Sequence, residues 1–319
     1  MSDTTIPTKG TFEIKQKKKR IALKEFKNSL GLYILLLPTL IYVVVFLYIP
    51  MYGVIIAFKD YNPLIGIIKS KWVGLKYFYD FITAYNFVQL LFNTLTLSVY
   101  GFIVGFPLTI AFALLLHYLP NKPLQKVVQN VTFAPHFIST VVMVGILQVF
   151  LTDQTGIVNL LLKKIGLESI NFLGSAALFK HVYVWSDIWQ HIGWNAIIYL
   201  AALTNVDPEL HEAAIIDGAT KLQRIKYIDL PAIMPTVITL LLLGIGNIMS
   251  VGFEKAYLMQ NNLNIESSEI IATYVYKLGL IGAQWSFSTA VGLFNSVINF
   301  VLLISANIIS KKTLGHGIW

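Results

Sequence analysis

The sequence has no cysteine among its 319 residues and carries very little charge. Without cysteine, a disulfide framework and a thiolate metal or redox site are both excluded. Charged residues make up only 13% of the chain, whereas hydrophobic residues make up 56%. Because ordinary soluble domains are about 25% charged, this composition indicates a polytopic membrane protein.

The sequence also lacks the short motifs that carry common catalytic chemistry. It contains no Gly-x-x-x-x-Gly-Lys-[Ser/Thr] phosphate loop and no His-Glu-x-x-His zinc motif. We therefore expect a chain that is not an enzyme and that holds no cofactor and no metal of its own. The formal net charge is +8, but the basic residues cluster beside apolar segments, which is a signal of membrane topology and not of nucleic-acid binding.

Six segments are long and apolar enough to cross a bilayer, which takes about 20 residues. They are residues 30–56, 91–116, 127–150, 181–203, 232–253 and 287–309. The predicted fold class is all-α, with a six-span membrane domain at 30–310. Before it, residues 1–29 are predicted to form a tail and a basic helix at the membrane interface, and after it residues 311–319 form a short tail. With the N-terminus inside, 15 of the 24 Lys and Arg residues lie on the inner side, which predicts a cell-membrane protein with both termini cytoplasmic.

A polar stretch, residues 205–231, separates the fourth and fifth predicted spans and reads NVDPELHEAAIIDGATKLQRIKYIDLP. Asp207 followed by Pro208 is typical of a helix start, and Gly218 is placed to end that helix. A second short helix is predicted before Pro231, with an apolar side that includes Leu222. The pattern predicts a helical hairpin, which the charge bias places in the cytoplasm.

The motifs EAA at 212–214, DGA at 217–219 and LP at 230–231 resemble the EAA loop of binding-protein-dependent ABC importer permeases. Stretches at 72–81, 133–147, 192–203 and 246–260 are similar to the carbohydrate-importing branch, in its LplB-type subgroup for oligosaccharides and polysaccharide fragments. The resemblance implies the six-helix type I permease fold, with the loop as a coupling helix that docks on a cytoplasmic ATPase.

The resemblance also implies partners. These are a homologous second permease subunit in a heterodimer, two ATP-binding subunits that hold ATP and Mg, and an extracellular sugar-binding lipoprotein. The coupling residues that it implies are Glu212, Ala213, Ala214, Asp217, Gly218, Ala219 and Arg224.

Polar and aromatic side chains within the predicted spans are candidates to line an oligosaccharide pathway. An ionisable residue in a membrane is costly and usually faces the bundle interior or a wet cavity. The candidates are Asp187, Trp189, Trp194, Asn195, Asn247, Asn295 and Asn299. Structural roles are the alternatives. Asp187 would pair locally near the membrane edge, and Asn247 would form a hydrogen bond across helices. Asn295 and Asn299 would face the partner subunit.

Three other functions stay open at this point. An ion-coupled secondary transporter would need paired acids in broken helices, and Asp187 is the one plausible intramembrane acid. A membrane-embedded enzyme would need a nucleophile–base pair or a set of metal ligands. A permease of the same class for a non-sugar solute is opposed only by the subgroup resemblance.

Overall fold

The computed structural model describes residues 29–315 and 317, with residue 314 described by its backbone alone. The predictions made for residues 1–28, including the basic interfacial segment, lie outside the described residues. The same holds for three residues of the predicted C-terminal tail, at 316, 318 and 319.

Helices make up most of the described chain. The α-helices are α1 (Leu30–Val43), α2 (Ile49–Met51), α3 (Gly66–Lys69), α4 (Lys76–Ile82), α5 (Phe87–His117), α6 (Lys122–Phe133), α7 (Thr140–Leu151), α8 (Ile157–Lys164), α9 (Ala176–Thr204), α10 (Pro208–Ile216), α11 (Lys221–Arg224), α12 (Leu230–Gly246), α13 (Phe253–Met259), α14 (Ile265–Ser268), α15 (Ile271–Tyr276) and α16 (Trp285–Leu314). Helical turns of π or 3-10 type lie at Val44–Tyr48, Tyr52–Phe58, Ala134–Phe137, Ile225–Asp229 and Lys277–Ile281. Two short strands, β1 (Lys59–Asp60) and β2 (Lys71–Trp72), pair antiparallel, with Lys59 opposite Trp72.

The chain forms two compact units that divide between Ile55 and Ile56. The first unit contains α1 and α2, with Pro38 inside α1. The second unit, from Ile56 onward, contains all the other helices and the core.

The core of the second unit is organised along α5 and α9, which pack against each other over much of their length. Toward one end of this pair, a buried cluster joins Leu97 of α5 and Val184 of α9 to residues of α7 and α13. Toward the other end, a second cluster joins Leu116 of α5 and Leu203 of α9 to Ile233 of α12. The pair therefore connects the two ends of the helical bundle.

Four helical segments of the described chain are long and apolar enough to cross a membrane, namely Leu30–Phe58, Phe87–His117, Lys221–Gly246 and Trp285–Thr313. They contain the whole of the first, second and sixth predicted spans. They also contain the fifth predicted span up to Gly246. The fourth predicted span lies within α9, which is 29 residues long but less apolar. Because α9 contacts α5, α6, α12 and α14, much of its surface faces protein, and polar side chains there find partners.

The third predicted span, at 127–150, is broken into two helices. The chain bends by 103° between Lys122–Phe137 and Thr140–Leu151. Neither helix is long enough to cross a membrane alone, but the two together are long and apolar enough for one span. Pro135 lies in the intervening turn and has no N–H to donate. Ser139 then starts α7 by accepting a hydrogen bond from the backbone N–H of Val142.

The fifth predicted span, at 232–253, is also wrong at its end, because α12 stops at Gly246. Side chains from α16 replace the lost helical bonds in the next segment. Asn299 accepts a hydrogen bond from the backbone N–H of Met249 at 2.9 Å, and Asn295 donates to the Met249 carbonyl at 3.2 Å. Non-helical backbone at membrane depth requires such partners.

Gly193 allows α9 to approach α6 closely, since a Cβ atom at Gly193 would lie 2.3 Å from the Thr132 carbonyl oxygen. Gly193→Ala should therefore destabilise the fold by about 1–3 kcal/mol through overpacking. The measurement is the midpoint of thermal unfolding in detergent. Gly145→Ala in α7 is the control, because apart from its own helix backbone and chain neighbours nothing in the described chain lies within 4 Å of its Cβ position. This variant should raise the midpoint. Equal midpoints for the two variants would contradict this packing.

Candidate translocation and coupling sites

Asp187 of α9 is the centre of a small charge network. Its carboxylate lies 3.4 Å from the Lys255 ammonium of α13 and 3.5 Å from Nδ1 of His191. The Lys255 side chain is only 5% exposed, whereas that of Asp187 is half-exposed. A buried ammonium needs a compensating charge, so Asp187 both neutralises Lys255 and presents polar surface. Sequence reasoning named Asp187 and missed Lys255, which lies 68 positions along the chain.

A cavity of about 600 Å³ lies between α5, α9 and α12. Asp187, Trp194 and Asn195 line it, together with His191 and aromatic side chains of α5. An adjoining cavity of about 240 Å³ is lined by Asn247 and also by Asp187. The structure thus brings together four of the predicted pathway residues, in a space whose larger part has the volume of a small-molecule site.

The Trp194 indole is held in place by the bend after α6. The imidazole of His136 stacks on it with ring centroids 4.3 Å apart and planes within 3°, and Phe137 meets it edge-on. The Trp194 side chain is nonetheless about half-exposed. A flat aromatic platform is therefore already assembled at this cavity.

Three predicted pathway residues lie elsewhere. Trp189 lines a separate, mostly apolar cavity of about 640 Å³ between α7 and α9, with Trp185. Asn295 and Asn299 hold the backbone after α12, and Asn299 also donates to the hydroxyl of Ser250 at 3.0 Å. The amides on α16 thus bond to the non-helical segment after α12. Asn247, for which a bond across helices was the alternative, instead donates to the Leu243 carbonyl of its own helix at 3.1 Å.

The predicted hairpin at 205–231 is present, and its local signals are confirmed. Asp207 starts α10 by accepting a hydrogen bond from the Glu209 N–H at 3.0 Å. Gly218 follows α10 with φ +79°, a conformation in which glycine has no steric cost. Thr220 and Gln223 then form a reciprocal capping box at α11.

The hairpin exposes both its motif and large apolar side chains. Glu212, Ala213, Asp217 and Gly218 are exposed, while Ala214 and Ala219 are half-buried. Among the apolar side chains, Ile216 is 85% exposed and Leu222 is 77% exposed. Of the apolar side predicted for the second helix, Ile225 packs on the core, whereas Leu222 is exposed.

The base of the hairpin is tied to the bundle by residues that sequence reasoning did not select. The Tyr118 hydroxyl donates to the fully buried Asp229 carboxylate at 2.6 Å, and His211 of α10 lies 3.1 Å from the other oxygen of that carboxylate. Burial raises the pKa of the Tyr118 phenol, and the hydrogen bond to Asp229 raises it further. The phenol therefore stays protonated and acts as a neutral donor. The Arg224 guanidinium lies over the Tyr118 ring at 5.5 Å, facing the bundle.

These features define a helical membrane protein with a cavity between its helices, into which a few polar groups converge, and an exposed, capped hairpin at one end. This is the organisation of a transporter subunit. Residues 105–315 match the family model described as the binding-protein-dependent transport system inner membrane component. The match covers more than half of the chain, and the chain belongs to this family.

Individual relatives agree over nearly the whole length. The chain is 42% identical over 316 residues to protein LplB of Bacillus subtilis (strain 168), with 99% of each chain covered. It is 43% identical over 305 residues to the polygalacturonan/rhamnogalacturonan transport system permease protein YteP of the same strain, covering 96% of this chain and 95% of YteP. These similarities confirm the identification as an ABC importer permease, a non-catalytic membrane component.

A solved structure shows the same fold. A chain of a bacterial ABC transporter involved in the import of the acidic polysaccharide alginate is 39% identical, with a TM-score of 0.84 and coverage of 92% of this chain and 99% of that one. A chain of a bacterial alginate ABC transporter in complex with an alginate pentasaccharide-bound periplasmic protein gives a TM-score of 0.85. The all-α type I permease fold class is thereby confirmed.

The pairing of Asp187 with Lys255 can be tested by a double-mutant cycle. Asp187→Asn should lower stability by roughly 1–3 kcal/mol, because it leaves the buried Lys255 ammonium without its anion. Lys255→Met added to Asp187→Asn should recover most of the loss, measured as the thermal midpoint in detergent.

Glu269→Gln is the control, since its partner Lys277, 2.8 Å away, is 33% exposed against 5% for Lys255. Water can solvate the ammonium left unpaired, so this substitution should cost about 1 kcal/mol or less. Additive effects of the Asp187 and Lys255 substitutions would show that the two side chains do not depend on each other.

Proposed function

We propose that this chain is the transmembrane subunit of an ATP-driven importer, forms half of the translocation pathway for an oligosaccharide, and couples to a cytoplasmic ATPase through the hairpin at 205–231. The observation that carries the proposal is the exposure of large apolar side chains, above all Ile216 and Leu222, on the hairpin that also exposes Glu212. Because the chain has no phosphate loop of its own, the energy for transport comes from another subunit.

The coupling argument starts from the cost of exposed apolar side chains. Fully burying an Ile or Leu side chain contributes about 1.5–3 kcal/mol, and contiguous exposed apolar surface with a polar rim is typical of a protein contact site. In this proposal Ile216 and Leu222 enter a groove of the ATPase, and Glu212 pairs with a basic group at its edge.

Gly218 sets the angle between α10 and α11. Closure of the ATP-bound pair of ATPases then moves the docked hairpins as rigid bodies and switches the spans between inward- and outward-facing states.

The cargo argument rests on the cavity beside α9. Carboxylate and amide groups of Asp187, Asn195 and Asn247 suit the hydroxyls of a sugar, and the half-exposed Trp194 ring suits its flat apolar face. Apolar and aromatic walls with a few converging polar groups are typical of small-molecule sites. The names of the relatives, which refer to polygalacturonan/rhamnogalacturonan and alginate, support an oligosaccharide over a non-sugar solute.

The proposed assembly contains a second, homologous permease subunit, two ATP-binding subunits that carry ATP and Mg, and an extracellular sugar-binding lipoprotein. The hairpin and both chain termini lie on the cytoplasmic side. An ion-coupled carrier is disfavoured because Asp187, the acid at the cavity, is already paired with Lys255.

Gly218→Ala tests the coupling role. The new side chain forces a residue into a left-handed conformation, at a cost of about 1–2 kcal/mol, and changes the angle between α10 and α11. Substrate-stimulated ATP hydrolysis by the reconstituted importer should fall by roughly 5- to 30-fold, because a free-energy change of about 1–2 kcal/mol corresponds to this ratio.

The matched control is Gly166→Ala, located after α8 and far along the chain from the hairpin. Gly166 has φ +81°, Gly218 has φ +79°, and no described atom lies within 4 Å of either Cβ position. The control should show the same loss of thermal stability but retain ATP hydrolysis. Equal hydrolysis by both variants would rule out a special role for the Gly218 turn.

Trp194→Leu tests the pathway role. Loss of a stacking surface worth about 0.5–1.5 kcal/mol should raise the substrate concentration for half-maximal uptake by roughly two- to tenfold. Trp189→Leu is the control, because its indole has similar exposure but lines the separate cavity between α7 and α9. If both variants transport alike in proteoliposomes, the cavity beside α9 is not the path.

A further inference from the structure

His117, His211 and Asp229 come together at the hairpin end of the bundle, and we refer to them as the inner histidine cluster. His117 ends α5, His211 lies on α10, and Asp229 immediately precedes α12. Each side chain offers one nitrogen or oxygen atom, and these three atoms all lie within 4.8 Å of one another. The cluster is outside the proposed pathway and was not expected from the sequence.

Two atoms of the cluster lack the partners that buried polar atoms need. Asp229 is fully buried, and one of its oxygens accepts the hydroxyl of Tyr118. Within the described residues, the other oxygen has no hydrogen bond, and neither does the buried Nε2 of His211, although the two atoms are 3.1 Å apart. Such orphaned buried atoms are costly and call for an explanation, for which an ion is one candidate.

The spacing fits a tetrahedral metal ion after a small adjustment. Ligand atoms about 2.0–2.2 Å from Zn²⁺ lie roughly 3.3–3.5 Å from one another. The 3.1 Å between His211 and Asp229 is already close to this value. The His117 ligand atom lies within 4.8 Å of the other two, so it would have to move inward by at most about 1.5 Å to reach this spacing.

The surroundings also resemble a built site. Two imidazoles and one carboxylate form a known zinc ligand set that leaves a fourth position open. The bond from the Tyr118 hydroxyl fixes the orientation of the Asp229 carboxylate, and such supporting bonds are a regular part of metal sites. The three ligands come from three separate segments, so an ion bound there would hold those segments together.

We propose that the inner histidine cluster binds one divalent transition-metal ion of the Zn²⁺ class and thereby joins the hairpin to α5 and α12. The binding site stands on the geometry of these residues alone. Its consequence, a stiffer connection between hairpin and spans, rests on the proposed function.

The test uses the full chain in detergent, purified without a polyhistidine tag and stripped of metal. Titration with Co²⁺ should give the visible absorption of a tetrahedral site, saturating at one ion per chain, and Zn²⁺ should displace it. His211→Gln should weaken Co²⁺ binding at least 10- to 100-fold, and Tyr118→Phe should weaken it by roughly 10-fold because a supporting bond is lost.

His136→Gln is the matched control, since His136 also neighbours a second histidine, His191, with ring centroids 5.4 Å apart but lies outside the cluster. It should bind Co²⁺ like the unsubstituted chain. If Asp229→Asn fails to fold, His211→Gln still decides the question, because His211 is only partly buried. The proposal would be overturned if Co²⁺ gave no tetrahedral spectrum, or if His211→Gln left that spectrum unchanged. His211 and Asp229 would then be an ion pair only.

This outcome is separable from the coupling test. Co²⁺ binding with normal ATP hydrolysis by Gly218→Ala would keep the metal site and remove the coupling role. Absence of Co²⁺ binding, together with reduced ATP hydrolysis by Gly218→Ala, would remove the metal site and keep the coupling role.

Discussion

Backbone amides within a membrane must find hydrogen-bond partners inside the protein, and this constraint shapes the second unit of the structure. The helical path is broken after α6 and again after α12. At the first break, Gln190 donates to the carbonyl of Ile138 at 2.9 Å. At the second, Asn299 and Asn295 bond both backbone groups of Met249. Each break is thus repaired by side chains from a long helix.

The breaks also place side chains at or beside the two cavities. The first presents His136 under Trp194, and the second presents Asn247 and Ser250 near Asp187. Asp187 in turn balances the buried Lys255 charge. At these two places, hydrogen bonds and an ion pair support the polar groups that reach the interior of an apolar bundle, as the proposed sugar pathway requires.

Local signals were well predicted from the sequence because they depend on neighbouring residues. Asp207, Gly218 and the apolar lengths of the spans belong to this group. The bend after α6, the early end of α12 and the burial of Lys255 depend on contacts between residues distant along the chain, as do the bonds around Asp229. Periodicity and spacing carry no signal for such contacts. Trp189 is a further example. The sequence predicts that it lies on the fourth span, but which cavity it lines depends on the packing of α7 against α9.

The central claim is that the exposed hairpin contacts a nucleotide-hydrolysing subunit, and a cross-link measures this most directly. Because the chain has no cysteine, Ile216→Cys and Leu64→Cys each introduce a single reactive thiol, at positions 85% and 93% exposed. In the assembled importer, a short bifunctional reagent should join position 216 to the ATP-binding subunit and should not join position 64 to it. A cross-link from position 64, or none from position 216 in an active complex, would contradict the account.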